Sequence, residues 1–133
     1  MKLTTKSEYI LLALIYIARN ENRGFIKIEE ICSQCDVPKK YMELLFSFLR
    51  QNRYVKTKRG ISGGYKLAKP ASKITIAEII RLMDGALAPT ESVSKYFFSV
   101  TPISKEKKAT KIFKEIRDYI ANRLEALTLS DLV

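Results

Sequence analysis

The only thiols in the sequence, Cys32 and Cys35, stand three residues apart, and no histidine accompanies them. A Cys-x-x-Cys pair can cycle between dithiol and disulfide, so a redox switch is one reading of it. The other reading is structural. Ile28, Ile31, Cys32 and Cys35 fall at i, i+3, i+4 and i+7, one face of a helix, and a buried cysteine packs as a small hydrophobe. A tetrahedral metal centre needs more ligands than this pair supplies, and no neighbouring set completes it. The commonest general base is missing with histidine. No nucleophile–base pair or phosphate loop takes its place, so an enzyme is not expected.

Cations carry the stronger signal. The net charge is +10 over 133 residues, too large an excess to ignore, and it points to a polyanionic partner. It is also concentrated. Between Pro38 and Pro70 lie Lys39, Lys40, Arg50, Arg53, Lys56, Lys58, Arg59, Lys66 and Lys69, with Glu43 the only acid; nine cations less one carboxylate is +8. Lysines and arginines in such a segment neutralise phosphates without reading sequence. Base reading needs directed groups. Lys40 and Ser47 can supply them, and Glu43 can accept from cytosine N4. Glu43 can equally serve to orient a neighbouring cation. Arg59, flanked by Gly60, suits a narrow and negative minor groove.

The elements that must hold these groups are legible in the spacing. Thr5-Lys6-Ser7-Glu8 has a capping-box pattern, and Ile10 to Ala18 then runs apolar almost all round, as in a helix buried on most sides. The Cys-bearing helix follows. Asp36-Val37-Pro38 breaks the chain, and proline suits the first turn of a new helix. That helix is predicted over about 38–52. Met42, Leu45, Phe46 and Leu49 form its buried stripe, while Lys40, Glu43, Ser47 and Arg50 form an exposed one. Two helices joined by a tight turn make a helix-turn-helix. Residues 54–58 then read as a strand, Gly60 to Gly64 as a turn and 65–68 as the returning strand, giving a basic hairpin or wing. Thr75 to Glu78 repeats the capping-box pattern and opens a helix with Ile76, Ile79, Ile80 and Met83 inward and Gly85 at its C-cap.

At this point the residues resemble a known family. Arg59-Gly60-Ile61-Ser62-Gly63-Gly64-Tyr65-Lys66-Leu67 is similar to the R-G-x-x-G-G-Y-x-L hallmark of the Rrf2 family of bacterial regulators. The opening Leu3 to Tyr9 resembles its L-T-x-K-x-x-Y start, Tyr41 to Arg50 its Y-L-E-x-L-x-x-L-R helix, and Thr128 to Leu132 its closing T-L-x-D-L. The resemblance implies that Lys6 touches phosphate, and that Lys39, Lys40, Tyr41, Glu43 and Ser47 face the major groove or its walls. It places Arg59 near the minor groove. With these we group Arg50 and the wing residues Lys58, Gly60, Ser62 and Gly63 as candidate DNA contacts. Many members hold an iron–sulfur cluster on three cysteines in the linker after the Gly85 position. Here 86–104 has no cysteine. Such clusters need thiolates, so no iron–sulfur cofactor is expected and the chain resembles a cluster-free branch.

The rest of the chain concerns assembly and signal. A long amphipathic helix is predicted over about 105–127, with Ile112, Phe113, Ile116, Ile120, Leu124 and Leu127 on its apolar stripe. Such a stripe projecting from a small domain suits a homodimer. Tyr96, Phe97, Phe98 and Val100 either pack the linker against the core or a partner subunit, or form a pocket for an effector, small molecule or protein. The expected fold is mainly α with a small β-hairpin wing. We divide it as a winged helix-turn-helix domain over 1–85, a linker over 86–104, and a dimerisation helix with C-terminal tail over 105–133. No segment is predicted to span a membrane, since the longest apolar run, Tyr9 to Ala18, is about half of the ~20 residues required; a cytoplasmic protein is expected. The function these features favour is a sequence-specific, double-stranded-DNA-binding regulator, a repressor acting on a pseudo-palindromic operator. The competing reading is a winged-helix module that docks on an acidic protein or enzyme.

Overall fold

The computed structural model describes all of residues 1–133. The chain divides into two compact units. One comprises Thr5–Ile74 with Thr128–Val133, and the other Met1–Thr4 with Thr75–Leu127. The units do not follow the division at residue 85 read from the sequence, because the helix after Thr75 belongs with the C-terminal helix.

The first unit holds α1 (Thr5–Arg19), α2 (Ile28–Cys35), α3 (Lys39–Gln51), β1 (Val55–Lys58) and β2 (Gly64–Leu67). Thr5 is already helical, so it cannot serve as the N-cap that its Thr-x-x-Glu pattern suggested. α1 buries Ile10, Ala13, Leu14, Ile17 and Ala18, while Leu12 is exposed; its burial is more one-sided than its all-round apolar sequence implied. α2 ends where Asp36 takes a left-handed conformation, φ 55° and ψ 52°, and its N–H donates to the Cys32 carbonyl. Pro38 then stands at the N-cap of α3 rather than inside its first turn. Met42, Leu45, Phe46 and Leu49 are buried, as their spacing predicts.

The two strands pair antiparallel, with Val55 opposite Leu67, Lys56 opposite Lys66 and Thr57 opposite Tyr65. Ile26 adds a bridge to the free edge of β2: its N–H donates to the Tyr65 carbonyl at 2.8 Å and its carbonyl accepts from the Tyr65 N–H at 2.7 Å. Gly64 is indispensable to this contact. A Cβ there would lie 2.3 Å from the Ile26 carbonyl oxygen, and the residue holds φ +144°. The last residues close the same unit. Thr128–Asp131 forms a small capping box, Leu129 is fully buried with its N–H donating to the Ile74 carbonyl at 3.0 Å, and Arg19 donates to the Leu132 carbonyl. Leu129 is thus part of the first unit's core, and it anchors residues 128–133 on that unit.

The second unit is built on α4 (Ile76–Asp84) and α5 (Lys107–Glu125). The Thr75–Glu78 capping box is complete: Thr75 Oγ1 accepts from the Glu78 N–H at 3.1 Å, and Glu78 Oε2 accepts from the Thr75 N–H at 2.9 Å. Ile76, Ala77, Ile79, Ile80 and Met83 are buried. Arg81 pairs with Glu125 at 2.7 Å, joining the two helices. The segment read as a linker is fastened in place. Leu87, Ala88 and Val93 are buried, Thr101 donates to Ser92 at 2.7 Å, and Arg117 donates to the Val93 carbonyl at 2.8 Å. α5 begins two residues later than predicted, because Pro102–Lys105 forms a separate 3₁₀ turn and Glu106 caps the helix by accepting from the Lys108 N–H.

In the first unit, one polar knot ties α1 to α2. Arg23 forms a bidentate pair with Glu30 at 2.8 and 2.9 Å, and the Tyr16 hydroxyl donates to the same carboxylate. The Arg23 guanidinium and then the Tyr16 hydroxyl hold the Glu30 carboxyl down at about 2, from an ordinary value of 4.5. Because the folded value lies below the unfolded one, this group stabilises the fold fully above the ordinary carboxylate range and loses that effect as pH falls from about 4.5 towards 2. The pair is half exposed, which screens it. Glu30→Gln should therefore lower the thermal midpoint by only a few degrees at pH 7, and the gap from wild type should narrow as the pH is taken from 5 to 3. Thermal melts by circular dichroism check both.

Candidate nucleic-acid interface

The helix-turn-helix and hairpin expose most of the residues singled out from the sequence. Lys6, Lys39, Lys40, Glu43 and Arg50 are exposed, and Tyr41 and Ser47 are half-buried. On the hairpin, Lys58, Arg59, Gly60, Ile61 and Ser62 are exposed, whereas Gly63 is buried. Gly63 is there for shape: a Cβ would lie 2.1 Å from the Lys58 carbonyl oxygen. Its N–H donates to the Gly60 carbonyl at 3.0 Å and closes the turn, with Arg59 immediately before it and Ile61 and Ser62 at the tip.

The relation between α3 and the hairpin is set from below. Phe46, fully buried, packs against the Tyr65 ring with centroids 4.7 Å apart. Above this contact Ser47, Arg50, Thr57, Arg59 and Tyr65 line one open cleft. Three residues picked from the sequence, Ser47, Arg50 and Arg59, thus share one concavity with two basic side chains and hydroxyl donors. That set suits a phosphate backbone or a base edge. Lys6, Lys39 and Lys40 do not line the cleft and lie elsewhere on the unit's surface. Thr57 and Tyr65 were missed as site residues. Thr57 joins the cleft through the strand register, which sets it directly opposite Tyr65 and which the sequence spacing did not fix.

Acidic partners tune the helix. Lys39 Nζ lies 3.3 Å from Glu29 and 4.0 Å from Glu43, so the expected phosphate-binding lysine is held by carboxylates on both α2 and α3. Glu29 was not singled out from the sequence, because it faces Lys39 only once α2 and α3 are packed. Glu43 keeps half its side chain in solvent, open to either of its two readings. Tyr41 is braced edge-on by Tyr9, with ring centroids 5.7 Å apart. Of the two cysteines, Cys32 is buried and Cys35 half-buried, and both are free thiols. Burial, with Glu29 and Glu43 adding to it, pushes the Cys32 thiol up; burial and then Cys32 push Cys35 up. Both environments disfavour the reactive thiolate.

These features find close counterparts. A family model, Rrf2, described as an iron-dependent transcriptional regulator, matches residues 3–133. The chain belongs to the Rrf2 family. It is 31% identical to the HTH-type transcriptional regulator CymR of Bacillus subtilis over 132 residues, covering 99% of this chain and 89% of the relative. The solved structure of the B. subtilis CymR, titled the global cysteine regulator, superposes with a TM-score of 0.85 at 30% identity, covering 99% of this chain and 95% of that one. The structure of T. potens IscR gives a TM-score of 0.76 at 26% identity, over 99% and 85% of the two chains. The fold is therefore the winged helix-turn-helix of these regulators, mainly helical with a two-stranded wing. The protein is a DNA-binding transcriptional regulator of the Rrf2 family, and neither the family nor these relatives are enzymes.

The residues present do not fit an iron–sulfur centre. The thiols are confined to α2, residues 86–104 contain none, and no three His, Cys, Asp or Glu side chains come together where they could hold a metal ion. No helix is long and apolar enough to cross a membrane.

Two substitutions test the surface. Arg59→Ala should weaken operator binding by about 1–3 kcal/mol with the fold intact, as read by fluorescence anisotropy. Gly64→Ala should cost about 1–3 kcal/mol of stability in urea denaturation, through the strained φ and the clash with Ile26. An unchanged urea midpoint for Gly64→Ala would mean the edge contact is absent in solution.

Proposed function

We propose that this regulator binds a pseudo-palindromic operator as a homodimer and represses transcription by occluding the promoter, without an iron–sulfur cluster. The observation that carries the reading is the state of α5. Of its 19 residues only Ala121 is buried. Ile112 is 55% exposed, Ile116 42% and Tyr119 73%. Phe113, Ile120, Leu124 and Leu127 are also partly open to solvent. Contiguous exposed apolar surface of this kind is costly in a lone chain and marks an association site. A second copy offers the same stripe, and a two-fold interface is self-complementary. Two such chains present two helix-wing surfaces, which suits an inverted repeat with half-sites a helical turn or its multiple apart. Tyr119, exposed beside Ile116, extends the stripe that the sequence reading assigned to dimerisation. The absence of linker thiols supports the cluster-free part of the reading.

Selecting bound fragments from the source genome at physiological salt, followed by sequencing, tests the operator directly. An inverted repeat is expected. Uniform enrichment, or retention of an acidic protein at high salt with no DNA affinity, would instead favour a docking module. Ile116→Asp should yield monomers by light scattering and lose operator affinity by at least tenfold. A persistent dimer would remove α5 from the interface. The protein purified anaerobically should show no visible iron–sulfur absorbance.

A further inference from the structure

The cleft described above uses one face of the hairpin. Thr57 and Tyr65 point to that side, towards α3. By strand alternation Lys56, Lys58 and Lys66 point to the other side. Lys56 and Lys66 are directly opposite each other in the register. Like charges so placed repel, and the arrangement does nothing for the stability of the sheet. No carboxylate forms an ion pair with Lys56, Lys58 or Lys66. The one acid bordering this surface, Glu21, has its carboxylate engaged by the Ala71 N–H at 2.8 Å.

The surface is also shaped. Because Ile26 bridges Tyr65, its neighbour Phe25 is brought beside Lys66. Lys66 Nζ lies 4.9 Å and Lys58 Nζ 5.9 Å from the Phe25 ring centroid. The ring holds two ammonium groups on one side of the sheet without neutralising either. Lys56 and Lys66 also line one open concavity, together with Lys69. A row of unneutralised lysines on a short sheet, two of them placed by one ring, is complementary to a polyanion.

We propose that this outer face of the wing is a second phosphate-binding surface, which grips the DNA backbone flanking the half-site engaged by α3 and Arg59. The proposal rests on the DNA-binding reading of the helix and wing. The two faces of a sheet cannot reach the same phosphates. With the inner face and tip committed to the groove, the outer face meets backbone on the far side of the wing, outside the half-site. The lysines therefore add affinity that depends on DNA length and salt and not on operator sequence.

The test compares two duplexes, the inverted repeat alone, ending at the outermost base pair of each half-site, and the same repeat extended by ten base pairs at each end. Wild type should bind the extended duplex several-fold more tightly at physiological salt. The double variant Lys56→Gln/Lys66→Gln should bind the short duplex as wild type does and lose the gain on the long one. Its salt slope on the long duplex should fall by about two units for two dimer-related pairs partly engaged, each full contact contributing about 0.9. Its thermal midpoint should be equal to or above that of wild type, since a repulsive pair has been removed. Equal wild-type binding to both duplexes, or an equal loss by the variant on both, would overturn the proposal while leaving the operator reading intact. If wild type bound neither duplex better than an unrelated sequence, the operator reading would fail and this proposal with it.

Discussion

The packing of Phe46 against Tyr65 is the contact on which the DNA-binding surface depends. Phe46 comes from the buried stripe of α3 and Tyr65 from the returning strand of the wing, and their rings meet at 4.7 Å. Without this contact a two-stranded hairpin would be marginal, because so small a sheet buries little on its own. Ile26 completes the arrangement. Its two backbone hydrogen bonds cover the free edge of β2, and Gly64 permits them because it has no Cβ to collide with the Ile26 carbonyl. The residues of the helix and of the wing thereby hold one spacing. Ser47, Arg50 and Arg59 share a cleft because the layer beneath them is packed, and the charge above follows from the apolar contact below.

The electrostatics are arranged for a partner and against the free chain. Nine cations and one acid between Pro38 and Pro70 repel one another in the isolated protein. Some of that repulsion is relieved internally, as where Glu29 and Glu43 hold Lys39. On the wing it is not relieved, and Lys56 faces Lys66 directly. The contrast divides the basic residues into those whose release on binding has a cost and those already presented. α5 shows the same logic in apolar form, since a helix with a single buried residue is unfinished until another surface covers its stripe.

Much of this was legible in the sequence because it is local. The buried stripe of α3 follows from a 3.6-residue period, the Thr75 cap from a four-residue pattern, and the turn from its glycines. The family hallmark in the wing coincides with the residues that shape it, Gly63 and Gly64, whose crowding no spacing could reveal. What escaped was set by tertiary contacts. Thr4, and not Thr5, precedes α1, and its N–H and hydroxyl donate to the Asp84 carboxylate, eighty residues away in the chain. Residues 86–104 look like a linker by composition, yet hydroxyl-to-hydroxyl bonds and the Arg117 contact to Val93 fasten them. Residues 128–133 look like a tail, yet Leu129 is fully buried. Glu29 and Thr57 became part of the surface only when the packing of α2 on α3 and the strand register were known.

The central claim is that the helix and wing form one preformed surface in the free protein, and amide hydrogen exchange without DNA tests it most directly. The account expects the Ile26 and Tyr65 amides to be protected to the same degree as that of Leu49 in the core of α3, while the Ile61 amide at the wing tip exchanges freely. Exchange of Ile26 and Tyr65 at the rate of Ile61 would contradict it, since the wing would then be assembled by DNA and not by Phe46.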